Sequence, residues 1–96
     1  LEAMARGLPC IGSTVGGFPE LLPPEDMVPP GSVEALTSKI REIALDPARM
    51  VRMSARNLAK AAEYRDSILR EQRLAFYRHV HSLTATWMKE QTCQNC

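Results

Sequence analysis

The sequence predicts a mixed α/β fold in which helix dominates, and three observations carry that expectation. All five glycines and six of the seven prolines fall within residues 1–31, leaving only Pro47 beyond them. Residues 9–13 (P-C-I-G-S) form a short apolar run bounded by turn formers, the pattern of a buried parallel strand. From residue 32 onward the apolar residues recur at helical spacing. Gly and Pro interrupt both helix and strand, so the first third reads as turns joining short extended pieces and the rest as almost continuous helix.

Leu1 to Arg6 has the composition of a helix end, and Gly7 stands where a left-handed C-terminal cap is wanted. The strand expected over Pro9 to Ser13 leads into a loop at Thr14 to Gly17. Phe18 to Leu22 then makes a helical turn with Pro19 in its first turn, stopped by Pro23 and Pro24. Glu20 complements the dipole of that turn. Met27 and Val28 add one more short extended piece.

Ser32 is an N-cap for a helix over 33–45, whose Val33, Leu36, Ile40 and Ile43 form a core-facing stripe. Asp46-Pro47 repeats the start signal and opens a helix over 47–62 with a weaker apolar face of Met50, Met53 and Leu58. Asp66 starts a third helix, over 66–87, carrying Leu69, Phe76, Val80, Leu83 and Trp87 at spacings of seven, four, three and four. That stripe wants a partner. Residues 88–96 read as a polar tail, frayed from Thr92.

Composition excludes several classes. The chain has 96 residues and a formal net charge of +1, so it makes one globular segment with a marginal core. It shows no apolar run of the roughly 20 residues a spanning helix needs, and no signal peptide opens it. Three cysteines, Cys10, Cys93 and Cys96, do not make a disulfide framework, so a soluble protein of a reducing, cytoplasmic compartment is expected. Cys10 reads as a small buried residue of the strand, and the Cys93 to Cys96 spacing as incidental. Residues 49–78 hold eight Arg or Lys against three acids, but with few aromatics between them they read as a solvated helix face rather than a nucleic-acid site. His79 and His81, two apart on a helix, face opposite ways without a third ligand, so no metal site is expected.

Function is carried by residues 2–20, E-A-M-A-R-G-L-P-C-I-G-S-T-V-G-G-F-P-E, followed by V-P-P-G at 28–31 and D-P-A-R at 46–49. This ordered set closely resembles the C-terminal domain of family 4 glycosyltransferases. The resemblance is detailed over residues 1 to about 50 and rests on pattern beyond. It implies an incomplete Rossmann-like half of a GT-B C-terminal domain, one segment over 1–96, belonging to an enzyme that transfers a sugar from a nucleotide-diphosphate donor with retention. It implies neither metal nor other cofactor, and an N-terminal acceptor domain in the same enzyme.

By the same resemblance Glu2, which precedes Ala-Met-Ala, is a ligand of the donor ribose. A carboxylate suits that place because it only accepts, and can take hydrogen bonds from both hydroxyls of the diol. Gly16 and Gly17 follow the carboxyl end of the expected strand, where open α/β sheets place their ligands. They serve either donor contact, with no Cβ to obstruct approach, or a tight turn needing positive φ. The family's first glutamate would lie eight positions before Glu2, ahead of residue 1, and its phosphate-neutralising basic residues are likewise absent, so no catalytic residue falls in this segment. The expectation is a fragment inactive alone that pairs its Leu69 to Trp87 stripe with a second copy. Two other functions compete. A nucleotide-sugar epimerase of the same fold is disfavoured because S-T-V-G-G-F-P-E replaces the Thr-Glu-Arg-Pro-Glu stretch of such enzymes. A non-catalytic helical module would bind a protein through residues 49–87.

Overall fold

The computed structural model describes residues 1–94. Two compact units divide the chain, Leu1–Glu63 and Tyr64–Cys96. The first holds four helices, α1 (Glu2–Ala5), α2 (Phe18–Leu21), α3 (Val33–Ala44) and α4 (Pro47–Ala62), with strands β1 (Gly12–Ser13) and β2 (Met27–Val28). The second is one helix, α5 (Asp66–Gln94).

The local signals set the starts of the two long helices of the first unit. Ser32 accepts a hydrogen bond from the Ala35 amide at 3.1 Å, and Asp46 accepts from the Arg49 amide at 3.0 Å, so both helices begin on a side-chain cap. Pro47 follows in the first turn, where its missing amide costs nothing. Gly7 takes φ +70° after α1 and turns the chain toward Leu8.

β1 and β2 pair in parallel, Gly12 opposite Met27 and Ser13 opposite Val28. The strand expected over Pro9 to Ser13 is thus reduced to two residues. A parallel ladder needs a neighbour along its length, and β2, held between the 3-10 turn Pro24–Asp26 and Pro29-Pro30, supplies only two positions. Cys10 consequently lies outside β1; it is half-buried, with its thiol donating to the Leu8 carbonyl at 3.3 Å.

α1 and α3 pack on α4, and α3 also packs on β2. The apolar core consists of Met4, Leu22, Val28, Ile43 and Met53. This is small, and the stripe expected to face it from α3 is mostly in water: Ile43 is buried, but Val33 is 78% exposed and Ile40 51%. The pattern sets a face, yet a sheet of two two-residue strands offers too little surface to cover it. On α4, likewise, Met53 is buried while Met50 and Leu58 are exposed.

α5 runs to Gln94, past the residue-87 end expected for it. Met88, Lys89, Glu90 and Gln91 all favour helix, and no Gly or Pro interrupts them, so the presumed tail continues the ladder. No residue of α5 is buried. Cys93 is exposed on its last turn; the Cys93-Gln-Asn-Cys96 spacing ends outside the described residues.

Gly7 gives a test of the α1–α4 packing. A Cβ there would sit 3.0 Å from Ser54 Oγ and 3.3 Å from Leu58 Cδ1, on a backbone at positive φ. Gly7→Ala should destabilise the first unit by about 1–2 kcal/mol through the left-handed conformation alone, read as a lower urea midpoint for exchange of the α4 amides. Gly7→Asn, which tolerates that region better, should lose less; equal losses would place the cost in the contact with Ser54 instead.

Candidate functional site

The carboxyl ends of β1 and β2 open into a groove of about 430 Å³. Its walls include Ser13, Phe18, Val28, Pro30, Ser32 and Leu36, mainly apolar with two hydroxyls. Strand ends are where a parallel sheet leaves backbone unpaired and loops diverge, which makes this the natural ligand position of the unit. Gly12 explains how Phe18 reaches it. A Cβ on Gly12 would fall 2.7 Å from Phe18 Cδ1 and 3.0 Å from Leu22 Cδ1, so the bare glycine lets the ring lie against the strand. Phe18 remains 43% exposed, its ring forming part of the groove wall.

Glu2 occupies a different place. As the first residue of α1 it is exposed and, with Ala5 and Arg6, lines an open depression. Among the described residues its carboxylate has neither a hydrogen-bond nor an ion-pair partner. Arg6, one turn along, is exposed too, so the depression carries one acceptor group and one donor group.

Gly16 and Gly17 separate into two roles. Gly16 has φ +57°, whereas Gly17, at φ −84°, is the N-cap residue of α2. A Cβ at either would meet nothing within 4 Å. The turn therefore requires a glycine at Gly16 for conformation, and both positions leave open space above the backbone. Neither glycine lines the strand-end groove or the Glu2 depression, so the three residues singled out in the sequence do not share one pocket. Glu20 lies in the first turn of α2, as its dipole role requires.

The charged centre of the unit was not visible in the sequence pattern. Asp26 is fully buried and receives two guanidinium groups: Arg49 Nη2 donates to Oδ1 at 3.3 Å, and Arg56 Nη2 to Oδ2. Arg49 also donates to Glu42 Oε1 at 2.5 Å and to the Glu25 carbonyl at 2.8 Å, where Lys39 Nζ donates as well. The Arg49 hydrogen bond, with the nearby charge of Lys39, holds the Glu42 carboxyl below the usual carboxylate range. Asn57, fully buried beside this network, donates from Nδ2 to the Leu8 carbonyl at 2.8 Å. Arg49 and Arg56, expected on a solvated face, are thus drawn onto one buried carboxylate, because α4 presents them about two helical turns apart toward the turn that enters β2. Arg52, Arg65, Arg70 and Arg78 do remain exposed. The network holds the 3-10 turn that leads into β2, and β2 in turn supplies Val28 to the groove.

Sequence families place this architecture. The family described as glycosyl transferases group 1 matches residues 1–64 of the 96. The chain belongs to the group 1 glycosyl transferases. The matched stretch coincides with the first compact unit to within a residue, so β1, β2, the groove, Glu2 and the Asp26 network all belong to the glycosyltransferase portion, and α5 lies beyond it. Neither a curated protein nor a solved structure matches the chain. No helix among the described residues of this glycosyltransferase is long and apolar enough to cross a membrane.

Proposed function

We propose that this chain is a donor-side segment of a retaining, family 4 enzyme of the GT-B fold, which transfers a sugar from a nucleoside diphosphate to an acceptor held by a separate N-terminal domain in the cytoplasm. The observation that carries the reading is the family match over residues 1–64, within which Glu2, exposed and without a hydrogen-bond or ion-pair partner among the described residues, precedes Ala-Met-Ala. An acceptor group left open in this way is available to the two hydroxyls of a ribose. Gly16 and Gly17, with open space over their backbone, are the positions where the donor approaches the loop after β1.

In this reading the diphosphate leaves as the acceptor attacks from the same face of the sugar. The segment contributes by holding the nucleotide end of the donor, so that the anomeric carbon is oriented before the bond breaks. Stabilising the charge that develops on the diphosphate falls to groups outside it. Neither metal nor cofactor enters. The small core and the two-residue strands support its being a part of a larger domain.

Titration of nucleoside diphosphates and nucleotide sugars into the 96-residue chain, followed by amide NMR, tests the assignment. Perturbations should centre on Glu2, Gly16 and Gly17, with a dissociation constant of about 1 mM or weaker, and no product should form. Shifts that avoid all three residues would remove the site assignment. Measurable sugar transfer by these 96 residues alone would remove the division of labour with an acceptor domain.

A further inference from the structure

We draw no further inference here: the strongest candidate, the apolar groove at the carboxyl ends of β1 and β2 between Phe18, Pro30 and Leu36, belongs to the site already described, and nothing in the structure shows what covers its apolar wall.

Discussion

Asp26→Ala should remove most of the stability of the first unit. Asp26 is fully buried, and its removal strands two guanidinium groups that converge on it, Arg49 with a side chain only 14% exposed and Arg56 at 36%. Breaking a buried ion pair from one side costs about 3–5 kcal/mol, mostly the penalty of the uncompensated charge. Here the lower end, about 3 kcal/mol, is expected, because Arg49 keeps Glu42 and the Glu25 carbonyl and Arg56 can reach water. A unit of this size has a total stability of only about 3–5 kcal/mol, so the loss removes most of it. Asp26→Asn keeps an acceptor but not the charge and should cost roughly half as much, about 1.5 kcal/mol. Hydrogen exchange of the α3 and α4 amides measures the loss directly, while helical circular dichroism would keep the contribution of α5 whatever the first unit does. Exchange in Asp26→Ala within 0.5 kcal/mol of the parent would show the network to be dispensable.

The distinction between what was legible and what was not follows the sequence distance over which each feature is decided. Ser32 and Asp46 cap amides three residues on, and Gly7 takes its positive φ at the end of its own helix, so these boundaries can be read from a few neighbouring residues. The Asp26 network joins residues 23 and 30 positions apart, and the Asn57 bond to Leu8 spans 49. Local pattern treats each of those side chains as a surface group. Only the packing of α4 against α1 and α3 makes them internal.

The α3 stripe shows the opposite error. Its spacing correctly marks one face as apolar, but whether that face is covered depends on how much sheet exists to cover it, which spacing does not contain. The site divides the same way. The order of motifs from Glu2 to Gly31 located the glycosyltransferase region, while the role proposed for Glu2 rests on its place before Ala-Met-Ala in that order. The strand-end groove could not, because Phe18 reaches its wall only through the bare backbone of Gly12, a contact visible only once β1 and α2 are folded together.

In the proposed reading, Glu2→Gln, made in the enzyme of which this chain would be the donor-side segment, should lower kcat/KM for the nucleotide-sugar donor by about tenfold to over a hundredfold. The change keeps the shape of the side chain and removes its charge. If Glu2 accepts from one or two ribose hydroxyls, the loss is that of charge-assisted hydrogen bonds, about 1.5–3 kcal/mol. Folding should be unaffected, because the carboxylate is exposed and makes no bond within the described protein. The distribution of the loss is informative. A group that only anchors the nucleotide raises KM and leaves kcat alone; a group whose anchoring also orients the anomeric carbon lowers kcat as well. A 2′-deoxyribose donor separates a ribose role from a general electrostatic one, since the parent should discriminate against it and Glu2→Gln should discriminate much less. An unchanged kcat/KM in Glu2→Gln, or undiminished discrimination against the deoxy donor, would reject Glu2 as the ribose ligand and leave the open acceptor at the start of α1 as a surface glutamate.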